Sequence, residues 1–191
     1  MGNLTPNMPL GGFIKDWPDF SIVESYKGEL VSLAVKNGDN KAFAAAFKKA
    51  YGKEPPAPNA MTEIKSGLVM WAGQGQYMLL LSGDNIHADT DAAAKLGGTA
   101  YATLQTDGWA SLVLNGPRAF DVLERFIPLD LRRAPQNYVA RTMAHHLAVI
   151  VLKFSETDIQ LLTPRSSAQS FLDGLTHTAD LHFNSDEPYA S

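Results

Sequence analysis

Any chemistry in this 191-residue chain must start from a short set of polar residues. His145-His146 is the most conspicuous pair, because imidazole serves both as a metal ligand and as a general base near neutral pH. On a strand, however, adjacent side chains point to opposite faces, so the two would not share one ion. No His-Glu-x-x-His run accompanies them, and they read as structural or surface histidines. Asp107 lies in Thr106-Asp107-Gly108, a turn in which aspartate is expected for its own sake. Asp130 precedes Leu131-Arg132-Arg133, and ion pairing is the simpler account of it. Neither belongs to the paired-carboxylate arrangement of glycosidases or aspartic proteases. Arg165-Ser166-Ser167 stands at a helix start, where free amides and a cationic side chain can hold an anion. The same residues also serve as a plain cap.

The remaining signatures are negative. Gly73-Gln74-Gly75 is too short for a phosphate loop and does not precede a helix. The Gly-x-Ser-x-Gly, Walker and dinucleotide-binding patterns are absent. Trp71, Trp109 and Tyr138 read as packing residues rather than as a stack for a cofactor. With no cysteine in the chain, disulfides, thiolate catalysis and iron–sulfur clusters are excluded. The residues therefore assign no catalytic group and no metal ligand, and they leave any cofactor-binding residue unidentified.

Bulk properties narrow the class further. Hydrophobic residues make up 45% and charged residues 19%, the balance of a globular domain with a real core. A net charge of −4 argues against binding to a polyanion, which depends on lysine and arginine displacing counterions. The N-terminal residues carry no basic stretch followed by an apolar one, so no secretory signal is expected. No apolar run approaches the ~18 residues of a membrane span, and a cytoplasmic location is expected.

The elements that would position these residues repeat. Leu30–Val35 followed by Asn40–Tyr51 reads as a strand and then a helix, and Ala110–Leu114 followed by Pro117–Ile127 reads the same way. Val31, Leu33 and Val35 alternate as a half-buried strand does. Phe43, Ala46, Phe47, Ala50 and Tyr51 fall on one helical face, with Asp39 or Asn40 as cap and Gly52 as stop. Thr62–Ile64 and Leu68–Trp71 form an expected hairpin, and Thr106-Asp107-Gly108 predicts another between Thr99–Gln105 and Trp109–Leu114. Tyr77–Leu81 leads into a weaker helix through Ile86, Ala93 and Leu96, as Ile159–Leu162 leads into a last helix with its face at Ala168, Phe171, Leu172, Leu175 and Ala179.

The expected fold class is α+β, with two ferredoxin-like β-α-β-type units in pseudo-repeat. Residues 1–24 read as an extended N-terminal arm, 25–183 as the pseudo-repeat domain with halves at about 25–98 and 99–183, and 184–191 as a flexible tail. The arm carries Phe13, Ile14, Trp17, Phe20 and Ile22. Such residues pack either on their own domain, the commoner fate, or on a partner.

Several phrases in order resemble the gamma subunit of heterotetrameric sarcosine oxidase: Trp71 to Leu80, Thr106 to Ala110, Leu114 to Ala119, Val122-Leu123 with Leu129-Asp130-Leu131, Ala140-Arg141-Thr142, and Pro164 to Ala168. Asn115 departs from that pattern, which commonly has serine there, and the arm has no placed counterpart. The resemblance implies a fold like the folate-binding domain of aminomethyltransferases and a non-catalytic structural role. It further implies a complex that demethylates sarcosine to glycine, with electrons passing through flavins to oxygen and the one-carbon unit passing to tetrahydrofolate. The partners it implies are larger flavin- and folate-binding subunits holding FAD, FMN, NAD and tetrahydrofolate, and a small subunit holding zinc. This chain itself would carry no cofactor.

Two other readings stand beside this one. The chain would serve equally as the equivalent subunit of a related N-methyl amino acid dehydrogenase. It would otherwise be a stand-alone folate-binding or one-carbon transfer protein of the same fold, which needs an acidic residue in a cleft to meet the donor edge of a pterin. The sequence assigns no such residue.

Overall fold

Short alternating strands separated by glycine, proline and asparagine build two sheets, and the chain divides into two units around them. The structure, a computed structural model, describes residues 8–25 and 28–184. Residues 1–7 of the expected arm and 185–191 of the expected tail lie outside the described residues. The first unit comprises residues 28–107 with 137–140, and the second comprises 8–25, 108–136 and 141–184. In chain order, β1 (Ile14–Trp17) and β2 (Phe20–Glu24) come first and belong to the second unit.

The first unit runs β3 (Glu29–Val35), α1 (Asn40–Tyr51), β4 (Met61–Ile64), β5 (Gly67–Gly73), β6 (Gln76–Leu81), α2 (Ala88–Lys95) and β7 (Ala100–Leu104). Its sheet has the order β4-β5-β6-β3-β7, with every neighbour antiparallel. Without β4, this is the ferredoxin-like β-α-β-β-α-β plan. Val31 and Leu33 point inward from β3 and meet Phe43 and Phe47 of α1, Val69, Leu79, and Ala88, Ala92 and Leu96 from α2 and its end. The α1 stripe matches the expected face, with Phe43 and Phe47 buried. Asp39 accepts a hydrogen bond from the Ala42 amide at 3.0 Å, the expected N-cap. Gly52 closes α1 at φ 71°, a left-handed position suited to glycine.

Two expectations fail in this unit. Ile86 is 75% exposed and precedes α2 instead of contributing to its face. The Asn85 side-chain oxygen accepts the His87 amide at 3.0 Å, and this Asx-turn starts the helix late and leaves Ile86 on the outside. Thr106-Asp107-Gly108 is not a hairpin turn, because β7 pairs with β3 while the strand that follows enters the other sheet. Thr106 is buried there, where its oxygen accepts the Leu30 amide at 3.0 Å. The segment is thereby fixed to the start of β3.

The second unit continues with β8 (Trp109–Asn115), α3 (Ala119–Phe126), β9 (Tyr138–Ala144), β10 (Leu147–Lys153), β11 (Asp158–Pro164) and α4 (Ala168–Asn184). The first residues of β9 group with the first unit, where Tyr138 bridges Ala60. The sheet order is β1-β2-β8-β11-β10-β9. The pair β8–α3 repeats β3–α1, and β11–α4 repeats β6–α2, which is the expected echo. Among the described residues, no strand follows α4 to match β7. Instead β2, from the start of the chain, lies antiparallel beside β8, in the place that β7 takes beside β3.

Residues of the arm are thus strands of the second unit. Phe20 and Ile22 are buried, and Ile22 pairs with Leu114 of β8. Pro18 and then Asp19, at φ 57°, form the two-residue turn between β1 and β2. Gly116 sits against that turn at φ 115°, and a Cβ there would lie 2.2 Å from the Asp19 carbonyl oxygen. The Trp17 and Phe20 rings stack on Phe183 of α4 at 6.2 and 5.9 Å between centroids. Lys15 and the Trp17 indole both donate to Asp180 at 2.8 Å. Burial alone would raise the Asp180 carboxyl, but these hydrogen bonds, with the charges of Lys15 and His177, carry it below the ordinary aspartate value. Among the described residues, no helix is long and apolar enough to cross a membrane.

Candidate functional site

The inward row of β3 holds Val31 and Leu33, and two residues earlier the same alternation places Glu29 on that face. A carboxylate therefore sits at the end of an apolar row, where the first unit opens into a cavity of about 120 Å³. The wall is built by Tyr51 from the end of α1, Ser82 and Asn85 from the loop after β6, and Asp91 and Lys95 from α2. Asp91 and Lys95 are one helical turn apart and share a face.

Glu29 is only 6% exposed. Its Oε2 accepts the Thr106 hydroxyl at 2.5 Å, and its Oε1 accepts the Asn85 amide at 3.2 Å. The Thr106 oxygen already accepts the Leu30 amide, so its own proton turns to Glu29. Both partners donate, which is what an ionised carboxylate requires. Asp91 accepts the Asn85 side-chain nitrogen at 2.9 Å. Burial pushes the Tyr51 hydroxyl above its ordinary value, so it stays protonated at neutral pH. The site offers a buried carboxylate, an exposed one, a neutral hydroxyl and an ammonium group, and these are binding chemistry.

Most of the charge in the second unit is committed to the fold. Glu24 accepts the amides of Leu10, Gly12 and Phe13 at 2.8, 2.7 and 3.4 Å. Lys153, also buried, donates to the carbonyls of Leu131 and Ala134 at 2.8 and 2.6 Å, just beyond α3. Arg118 bonds Asp121 at 3.3 Å and His182 Nε2 at 2.8 Å. Arginine has no acceptor, so Nε2 accepts and the ring proton lies on Nδ1. Arg132 donates to Asp121 and Glu124 at 2.5 Å, and these bonds raise its pKa.

The residues singled out from sequence are dispersed. His145 and His146 form the two-residue turn between β9 and β10 with φ of 48° and 72°, rather than lying on a strand. The His145 ring lies 5.0 Å from that of Phe126. Asp107 is exposed in its turn. Asp130 pairs with Arg133 at 3.4 Å and accepts its amide at 3.2 Å, the expected ion pair. Arg165, Ser166 and Ser167 form a short 3-10 turn before α4, where Ser167 donates to the Pro164 carbonyl at 3.3 Å. Trp71 and Tyr138 are half-buried in the first unit and Trp109 in the second. Among the described residues, no group of three or more His, Cys, Asp or Glu could hold a metal ion. Sequence reading missed Glu29, although extending the Val31–Leu33–Val35 alternation back by one step would have placed a carboxylate on the core face.

No family model matches the sequence, and no curated protein matches it. Among solved structures, the chain is similar to a chain of the heterotetrameric sarcosine oxidase from Corynebacterium sp. U-96 in complex with pyrrole 2-carboxylate, at 21% identity over 85% of each chain with a TM-score of 0.74. It is also similar to glycine cleavage system aminomethyltransferase T from Bartonella henselae, at 12% identity and a TM-score of 0.62. That match covers 89% of this chain and 56% of the aminomethyltransferase, so the chain spans little more than half of that protein. The fold is the α+β pseudo-repeat of these proteins, as the sequence resemblance implied.

Proposed function

We propose that this chain is a structural subunit of a hetero-oligomeric sarcosine oxidase-type complex, in the role of its gamma subunit and without an active site of its own. The observation that supports this is the likeness to a chain of a heterotetrameric sarcosine oxidase over 85% of both chains. The aminomethyltransferase, by contrast, extends well beyond the matched part. In this reading larger partner subunits hold FAD, FMN, NAD and tetrahydrofolate, a small subunit holds zinc, and the assembly works in the cytoplasm. The complex demethylates sarcosine to glycine and passes the one-carbon unit to tetrahydrofolate. The equivalent place in an N-methyl amino acid dehydrogenase is the nearest variant. Ile14 and Leu181 in the second unit and Ile86 and Tyr101 in the first are large apolar side chains more than half exposed. Burial in an assembly would remove them from water.

A second reading, a stand-alone folate-binding or one-carbon transfer protein, draws on the fold shared with aminomethyltransferase T. Affinity purification of the tagged chain from its native cells, with flavin absorbance recorded on the eluate, separates the two. A yellow complex with two larger subunits and one smaller is the expected result. A colourless single chain that binds tetrahydrofolate would overturn the subunit assignment.

A further inference from the structure

Glu29 is a buried carboxylate whose two hydrogen bonds come from neutral donors, an alcohol and an amide. A carboxylate offers about four acceptor positions, so half of its capacity is unused. No ion pair to Glu29 exists among the described residues. Burying an anion without a counter-charge is unfavourable unless something cationic accompanies it. The same cavity is walled by Lys95, whose ammonium makes no hydrogen bond or ion pair with a described residue, although Asp91 lies one turn before it. Asp91 is instead turned to Asn85. Among the described residues, the cavity thus holds a buried negative group with no cationic partner and a positive group with no anionic one. Its volume of about 120 Å³ is near the ~150 Å³ of an engineered cavity that takes one benzene ring, which sets the ligand at a few heavy atoms.

The geometry points to a binding site for a small zwitterion, an ammonium group and an acid group on a short carbon skeleton. The ammonium donates to the open positions of Glu29, and the acid group meets Lys95. The protonated Tyr51 hydroxyl and the Ser82 hydroxyl supply further polar contacts at the wall. This inference does not depend on the assembly proposed above, since every residue in it lies in the first unit.

The test is a titration of the full chain with glycine, β-alanine and taurine, followed by amide NMR. Ethylammonium and acetate serve as single-charge controls. At least one zwitterion should produce saturable shifts centred on the amides of Glu29, Asn85 and Lys95. Each single-charge control should bind about tenfold or more weakly, as loss of one charged hydrogen bond implies. Glu29→Gln keeps the shape and should weaken binding about ten- to a hundredfold. Lys95→Met, at an exposed position that leaves the fold intact, should weaken the zwitterions and leave ethylammonium unchanged. Absence of saturable shifts with all three zwitterions overturns the assignment, as does acetate binding that equals theirs and ignores Glu29→Gln.

Discussion

Ile22→Ala is the most direct probe of the N-terminal strands. Ile22 is 0% exposed and pairs with Leu114 on β8. Truncation to alanine removes the γ- and δ-carbons, and at ~0.8 kcal/mol per buried CH₂ this loses about 2.4 kcal/mol of transfer free energy. The cavity left behind brings the cost to about 3–4 kcal/mol. Ile14, on neighbouring β1, is 65% exposed, and Ile14→Ala should stay within ~0.5 kcal/mol of the parent. Both variants are best made in a Trp71→Phe background, so that fluorescence reports Trp17 and Trp109, which share the second unit. Urea unfolding then follows that unit, even where the two units unfold separately. Equal and small effects at the two isoleucines would refute the reasoning and remove β2 from the sheet.

Gly116→Ala forces a Cβ to 2.2 Å from the Asp19 carbonyl oxygen at φ 115°; overpacking and backbone strain together should cost about 2–5 kcal/mol in the same unfolding assay. Asp180→Asn should lower stability at neutral pH by no more than about 1 kcal/mol, since Lys15 and Asp180 are both partly exposed. Because the folded Asp180 pKa is depressed, its contribution is present above the unfolded value of about 3.9 and lost as pH falls through the folded value. The gap between parent and variant melting temperatures should therefore close in acid, and a gap that widens there would contradict the assignment. His146→Gly should stabilise by about 0.5–1 kcal/mol, the left-handed strain relieved at φ 72° less the entropy cost of glycine; a lower thermal midpoint would count against a strained turn.

What the sequence made legible was local. The α1 stripe with its Asp39 cap and Gly52 stop, the hairpin of β4 and β5, and the echo of strand and helix in each half all rest on contacts within a few residues. Choices of partner over long separations were not legible. Thr106-Asp107-Gly108 carries a hairpin signal, but turn residues specify a bend and not the strands that will pair. Val31 takes Leu104 as its partner, and β8 goes to β11 and β2. The arm was also obscured, because β1 and β2 span four and five residues, too few to display a period. Even so, Phe20, Ile22 and Glu24 alternate, and Pro18-Asp19 marks the turn. At His145-His146 the side chains suggested chemistry, while the backbone uses them for a positive-φ turn that asparagine and glycine more commonly make.

The same physics bears on where activity can reside. A side chain does chemistry on a ligand only with bonding capacity that the fold has left open. In the second unit Glu24 spends its acceptors on three amides, and Lys153 caps two carbonyls. Asp121 is shared between Arg118 and Arg132. Removing any of these would cost stability before it could alter a reaction, because each partner would be left buried or unpaired. Glu29 differs. Thr106 and Asn85 orient it without neutralising it, and the cavity beside it keeps part of its surroundings unfilled. A fold that needed only stability would place an apolar residue at that register, in line with Val31 and Leu33. A charge held there, oriented by neutral donors in a cavity that Lys95 also lines, has the construction of a receptor site. A chain that carries such a site can bind a small zwitterion with side chains that the fold has not already committed.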